Sequence, residues 1–399
     1  MFVGMFPINM WQSNWKMDLF TSKPFTNFQM CNEVDLIFRQ KKANIERCLA
    51  VVDTKNVGWG DEGWMFSYEV DADNLVKPIS HKRIERNYQK DPGRHRTFTQ
   101  RRDKHLTPFI SRRQALIDKV KKLTKRFKQG STVLTMCANE GHASLILNFV
   151  CNLRRDKIKL PPHVIFVTTP HLLKQFQGWG LTAFYDEVFD LFPSNAGVYG
   201  DMDFGVMVLL KQMSALLVLE SGFNVLFQDA DLVWVNDPIA DLTKQGAEHM
   251  TLWMDDGNRD PRFAPFFANS GFFYLHHHGK VLQFWDIALL SSGFALDWRS
   301  NQEMINQILS EAHIRYAMGV KLLSPKQYPS GAHLTNPGFY KSNKHRKDLF
   351  VLHFCWTAHK EEKLKRYKDH KMLLITEACY NSIHKCQGRK LDDVCKYGS

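Results

Sequence analysis

Two carboxylates separated by one alanine, Asp229 and Asp231, follow closely on the apolar run Val225, Leu226 and Phe227. A short apolar run bounded by polar residues reads as a buried strand, which puts the pair at the strand's mouth. Burying a bare carboxylate is costly unless it is paired or bound to a metal. Hard divalent cations prefer carboxylate oxygens, so the chemistry these residues suggest is that of holding a cation. The other reading is a helix cap beside a loop aspartate. Lys211 is the lone charge in an apolar run that begins at Phe204, and from the residues alone reads as a lysine on the solvent face of an amphipathic helix. Asn269, Ser270 and Gly271 open another apolar strand. The glycine there permits close backbone approach, and the asparagine can hydrogen-bond to hydroxyl groups. Asp255 and Asp256 follow the strand Leu252 to Met254, either as carboxylates that face a second substrate or as a turn cap. Three consecutive histidines, His276 to His278, would alternate faces on a strand and read as a solvated strand end.

The elements that must position these residues begin at 131. Strands are expected over 132–137, 164–168, 225–227, 250–254, 271–275, 319–323 and 350–354. Helices are expected over 143–153, 171–176, 204–219, 280–290 and 301–311, with Gly222 stopping the long apolar one. Alternating strands and helices imply right-handed βαβ units and an α/β fold with a mostly parallel sheet flanked by helices. Such sheets bind ligands at the carboxyl ends of their strands, where Asp229 and Asp231 stand, as do Thr135 and Asn139 after the first strand. Upstream, Ser111 to Gln114 matches a capping box. Leu116, Val120, Leu123 and Phe127 follow at helical spacing and Gly130 ends the helix, which would expose a lysine-rich face. Asp91-Pro92-Gly93 reads as a turn. Residues 1–80 are aromatic-rich and irregular.

The chain has 399 residues, 44% of them apolar, and a formal charge of +12. Between Lys82 and Lys128, 17 Lys/Arg face 4 Asp/Glu, or +13, so the remainder is near −1 (12 − 13). The excess belongs to one segment, without a zinc pattern, a helix-turn-helix spacing or a stacking platform, and no nucleic acid is expected. A solvated face or stalk is the expectation, with contact to an anionic membrane or acidic substrate second. Eight cysteines include no C-x-x-C pair. Cys379, Cys386 and Cys395 cluster near the end, as in a stapled tail in an oxidising compartment. No uninterrupted apolar stretch of spanning length occurs, and the start does not read as a signal peptide. The expectation from those features alone is a cytoplasmic protein, or a chain lacking its own N-terminus.

Several stretches resemble the nucleotide-diphospho-sugar transferases grouped as glycosyltransferase family 77. They are Leu134 to Gly141, Leu219 to Pro238 with its Asp-x-Asp, Ala268 to Tyr274, Asn301-Gln302, Tyr328 to Gly331 and Val351 to His353, in the family's order over roughly residues 130–370. The resemblance implies a GT-A (Rossmann-like) fold over 111–375, an accessory or stem region over 1–110, and a Cys-containing tail over 376–399. It implies a retaining, metal-dependent glycosyltransferase that forms α-linkages. The donor would be a nucleotide-sugar such as a UDP-sugar, and the acceptor a glycan, polysaccharide or glycoprotein. Mn²⁺, or Mg²⁺, would sit on Asp231 and His353, with Asp229 sharing the metal or touching the ribose. Lys211 and Lys363 would face the donor phosphates, and Thr135 and Asn139 the base and ribose. Asn269, Ser270, Gly271 and Gly331 would line the donor, while Asn301, Gln302 and Asp255 would stand at the reacting centre. A Golgi-lumen location behind an N-terminal membrane anchor is the family's habit.

Three residues depart from the family pattern. Asn301 stands where an Asp is usual, Cys355 where an Asn is usual and His359 where a Gly is usual. These keep a catalytically impaired binding protein of the same fold as an alternative. A haloacid-dehalogenase-like phosphatase, in which the first Asp of an Asp-x-Asp is a nucleophile, is the other. That class wants its motif on the first strand of its domain, whereas here two strand–helix units precede it.

Overall fold

The computed structural model describes residues 92–396 apart from 198–200, 246–249, 258–266, 293–299, 317, 337, 339–346 and 358. It also describes the upstream strands Phe28–Met30, Asp35–Lys42, Ile45–Asp53, Tyr68–Val70 and Val76–Pro78. The turn expected at 91 and the other stretches of 1–91 lie outside the described residues.

Seven strands from the transferase-like region lie in one sheet. Their order is Gly319–Leu323, Met250–Asp255, Ala268–Leu275, Asn224–Gln228, Thr132–Ala138, His163–Val167, Ala183–Phe184. Ala268–Leu275 runs antiparallel to both neighbours, and the other four pairings are parallel. The fold is α/β with a mostly parallel sheet flanked by helices, as the alternation of elements implies. Ile45–Asp53 continues the sheet in parallel beside Gly319–Leu323.

Successive side chains on a strand point to opposite faces, and two cores follow. On one face Val133, Phe166, Val225, Phe227 and Phe273 pack under the helices Pro92–Leu123, Met202–Glu220, Gly279–Leu290 and Asn301–Tyr316. On the other, Leu134, Met136, Leu226, Phe272 and Tyr274 pack under Ala143–Arg155, Pro170–Gly178 and the C-terminal helices. Met202–Glu220 is long and apolar enough to cross a membrane by length and composition, but it lies buried as a core helix between sheet and neighbours.

Two expectations need correction. The strand expected near 350–354 does not join the large sheet. Val351–His353 pairs antiparallel with Leu232–Trp234 as a separate two-stranded ribbon. The basic helix also does not start at a capping box at Ser111. It runs from Pro92 to Leu123 through Pro108, and the Ser111 hydroxyl donates to the Pro108 carbonyl at 2.9 Å. Proline is well placed in a first helical turn, as Pro92 is. At Pro108 one backbone bond is forgone while Leu106, Phe109, Leu116, Ile117 and Val120 stay buried on the core. The basic face is only partly solvated: Arg113 pairs with Glu220 and Asp286, and Arg112 and Lys119 pair with Asp186.

The tail is stapled. Cys151 pairs with Cys395 and Cys379 with Cys386, while Cys137 and Cys355 are free. Asn148 and Asn152 both donate to the Met372 carbonyl, and Ser144 to that of Tyr380. The tail thereby lies against Ala143–Arg155.

Candidate functional site

The strand Asn224–Gln228 ends where Asp229 and Asp231 begin, at the carboxyl edge of the sheet. Asp229 N–H donates to the Gly271 carbonyl at 2.7 Å, which ties the aspartates to the neighbouring antiparallel strand. The register of that strand against Met250–Asp255 slips between Trp253 and Met254. Such irregularities release backbone from the ladder and re-aim side chains. The segment freed is Ser270 to Phe272, which includes the glycine beside the aspartates.

His353 arrives by the ribbon. It pairs in register with Leu232, one residue past Asp231, and Phe354 N–H donates to the Asp231 carbonyl at 3.0 Å. Its Nε2 lies 3.2 Å from Asp231 Oδ1, while Lys363 Nζ lies 2.8 Å from Oδ2. Lys211 Nζ reaches Asp229 Oδ1 at 2.7 Å and the Ser270 carbonyl at 3.3 Å, with the Phe227 ring 5.6 Å below it. Lys211 is therefore held inside, and the alternative of a solvent-facing lysine falls. Burial alone would raise the Asp231 carboxyl, but Lys363 and His353 hold it well below the usual carboxylate range. Burial alone would lower His353, but Cys355 and Asp231 hold it well above the usual imidazole range.

Asp229, Asp231 and His353 each offer a ligand atom, all within 4.8 Å of one another. Two carboxylates and an imidazole form a donor set suited to Mn²⁺ or Mg²⁺, the carboxylates being the hard majority. Gly271 leaves this corner open. A Cβ there would meet His353 Cε1 at 2.5 Å and Asp229 Oδ2 at 2.6 Å. The residues present fit a divalent cation.

A polar wall continues from it. Asn269 Oδ1 accepts from Gly271 N–H at 2.8 Å, and its amide donates to Asp256 at 2.7 Å. Gln302 Oε1 accepts from Ser270 N–H, and Asn301 Oδ1 from the Ser270 hydroxyl, both at 3.0 Å. The Asn301 amide nitrogen is buried without a hydrogen-bond partner. Burial raises the Asp256 carboxyl although Asn269, Gln302 and Trp356 all hydrogen-bond to it. Trp356, half exposed with φ +61°, donates to Asp256 at 3.4 Å.

Asp255 is placed differently from the expectation that it faces a substrate. Its Oδ1 accepts from Gly257 N–H at 3.0 Å and its Oδ2 lies 3.9 Å from His333. Asp256 stands with Asn269 and Gln302 instead. Gly331 packs against the loop after His353: its N–H donates to Cys355 Sγ at 3.2 Å, and a Cβ would fall 1.9 Å from the Cys355 carbonyl. Thr135 is fully buried inside its strand. The Asn139 amide is taken up by the Pro193 and Asn195 carbonyls and its Oδ1 by His142, which is turn chemistry. His359 is exposed with φ −127°, a conformation that needs no glycine. The three histidines 276–278 follow the strand end, and His278 caps the next helix through Lys280 N–H.

Sequence reasoning missed Trp356 and His142. Burial and Lys363 push His142 down to about 4, with Asp231 and Asp229 acting the other way, so it stands close to the aspartates as a neutral ring. A histidine three residues after the asparagine that follows the strand was the one signal available.

Residues 171–367 match the family model described as nucleotide-diphospho-sugar transferase. A beta-arabinofuranosyltransferase of Arabidopsis thaliana, RAY1, is 24% identical over 254 residues, covering 59% of this chain and 46% of the relative. A UDP-galactose:fucoside alpha-3-galactosyltransferase of Dictyostelium discoideum is 21% identical over 212 residues, covering 43% and 31%. The chain thus spans less than half the length of these curated relatives. Among solved structures, the galactosyltransferase LgtC with donor and acceptor sugar analogs aligns with a TM-score of 0.38 and 12% identity, over 62% of this chain and 98% of that one. With its two aspartates at a strand end inside the matched stretch, the chain carries over residues 171–367 a domain of the nucleotide-diphospho-sugar transferase family.

Proposed function

We propose that the chain is a glycosyltransferase that moves a sugar from a nucleotide-diphospho-sugar, first of all a UDP-sugar, to a hydroxyl of a glycan, polysaccharide or glycoprotein. The observation that carries this reading is the convergence of Asp229, Asp231 and His353, with Lys211 and Lys363 as counter-charges, at the carboxyl edge of the sheet. Asp229, Asp231 and His353 would hold Mn²⁺ or Mg²⁺, which supplies positive charge where a diphosphate leaves. Lys211 and Lys363 bring two further positive charges to that corner. Ser270, held by Gln302 and Asn301, fixes the wall on which the donor sugar would rest. The unpartnered Asn301 amide is a donor for a sugar hydroxyl, where an aspartate would accept. Asp256, with Trp356 beside it, is the carboxylate best placed for the incoming hydroxyl. Retention of configuration and an α-linkage are inferred from the family resemblance. A lumenal, Golgi-type location is inferred from it and from the two disulfides, which persist in oxidising compartments.

The test uses the full chain with a panel of UDP-galactose, UDP-xylose and UDP-arabinofuranose and either cation. The expected outcome is cation-dependent transfer or donor hydrolysis, abolished by chelator and lowered at least about 100-fold in Asp231→Ala. NMR of the product anomer reads retention. Absence of nucleotide-sugar binding by calorimetry overturns the proposal. Binding without turnover would favour the catalytically impaired alternative that Asn301 and Cys355 raise.

A further inference from the structure

A second cluster of ligating side chains lies one residue beyond Asn139 in the same turn. Glu140 stands there, His171 is in the first turn of the helix Pro170–Gly178, and His384 is in the short turn Ile383–Cys386 of the tail. Each offers a ligand atom, all within 4.8 Å of one another. His171 Nδ1 lies 3.2 Å from Glu140 Oε1, and His384 Nε2 lies 3.7 Å from Oε2. The two imidazoles stack, with centroids 5.0 Å apart and planes at 29°.

Two details point past a simple ion pair. Glu140 Oε2 is buried and has no hydrogen-bond partner, although burying such an oxygen unsatisfied is costly. Its other oxygen is fixed by the Thr169 hydroxyl at 3.0 Å, the kind of outer contact that orients a metal-binding carboxylate. Both rings also turn a nitrogen toward the same carboxylate.

We propose that Glu140, His171 and His384 form a second metal site, separate from the aspartate pair, for a borderline divalent cation of the Zn²⁺ type. Two imidazoles and one carboxylate are a donor set that zinc takes with a fourth position left to water. The aspartate corner has the opposite balance, with carboxylates in the majority, and suits harder ions. The two sites therefore differ in the ion they select. The second would pin the tail, through His384, to the turn and helix beside the sheet's carboxyl edge. It would add to the Gln175 amide that already donates to the Ile383 carbonyl and to the Cys379–Cys386 disulfide beside it. An ion that binds the folded chain and not the unfolded one stabilises it by mass action.

The test uses the full chain with its disulfides intact, stripped with chelator, in an Asp231→Asn background that disables the aspartate corner. Zn²⁺ is expected to raise the melting temperature, and Co²⁺ to give a visible absorption band at about one ion per chain. His171→Ala and His384→Ala should each weaken Zn²⁺ binding at least about 100-fold, since even outer partners are commonly worth about 10–100-fold. The His384 ring is 57% exposed, so His384→Ala should keep the metal-free melting temperature. An unaltered Zn²⁺ affinity and melting shift in His384→Ala overturns the proposal. Should the background variant fold poorly, ion counting on the otherwise unaltered chain decides the matter. A fall from about two ions to about one in His384→Ala supports the site, and no fall overturns it.

Discussion

A methyl group on Gly271 would land 2.5 Å from His353 and 2.6 Å from Asp229. Gly271→Ala should push the imidazole and carboxylate apart, and overpacking of this kind costs about 1–3 kcal/mol. The expected outcome is cation affinity by calorimetry lowered at least about tenfold, with a modest loss of stability in urea. Asn301→Asp replaces an unpartnered buried amide donor by an acceptor, in the family's own residue. It should change the ratio of kcat/KM among UDP-sugars, read from the donor panel, while cation affinity stays within about twofold. An unchanged ratio would count against Asn301 as a donor contact. Asp229 and Asp231 were legible in the sequence because each is a charge at the end of an apolar run, where burial demands a partner. Lys211 was legible only through the family resemblance, its own residues reading as a solvent-facing lysine. The choice between Asp255 and Asp256 was not. Successive residues at a strand end face opposite sides, and the parity there depends on how the chain leaves the strand.

Among the elements, the helix Pro92–Leu123 carries the clearest test. His105 on it is buried against the Phe192 ring, its Nδ1 without a hydrogen-bond partner. Burial, with Lys104 adding to it, pushes the ring down from 6.5 to about 4. The folded chain thus takes up this proton less readily than the unfolded chain. Stability is untouched above about pH 6.5, falls as pH drops below it, and has lost its full share below about pH 4. The share is roughly 3 kcal/mol. His105→Phe should therefore lose less stability than the parent between pH 7 and pH 4 in urea titrations at each pH. Parallel slopes for the two proteins would refute this. The helix's apolar stripe was readable from Leu116, Val120 and Leu123, but its start was not. Ser111 and Gln114 mimic a cap, and Pro108 looks like a stop, whereas packing of Leu106 and Phe109 carries the helix through both. The strand near 350 was readable as a strand. Its partner was not, because Leu232 to Trp234 is three residues long and directly follows the aspartates.

At the scale of the molecule, the α/β alternation from 131 onward was visible in hydrophobic periodicity. Among the seven strands of that sheet from 132 onward, the reversed direction of Ala268–Leu275 was not, since direction leaves no trace in an apolar run. The docking of the tail was legible only as a cluster of cysteines. The Cys151–Cys395 bond joins residues 244 apart, and bonds that close long loops stabilise by about 2–5 kcal/mol. Cys395→Ser should lower the melting temperature, as should reductant on the parent chain. Equal melting temperatures with and without reductant would contradict that bond.

The ribbon of Leu232–Trp234 with Val351–His353 has a consequence for how the protein is made. Asp231 and His353 are 122 residues apart, and contacts so distant in sequence form late because a long loop must close first. A chain still emerging from the ribosome holds its aspartates long before the histidine and Lys363 exist to complete the corner. The aspartate corner is thus among the last parts of the molecule to be assembled, and partly synthesised chains carry the sheet edge without its histidine and its lysine. In refolding, recovery of cation binding should lag behind recovery of helix, measured by calorimetry against far-UV dichroism.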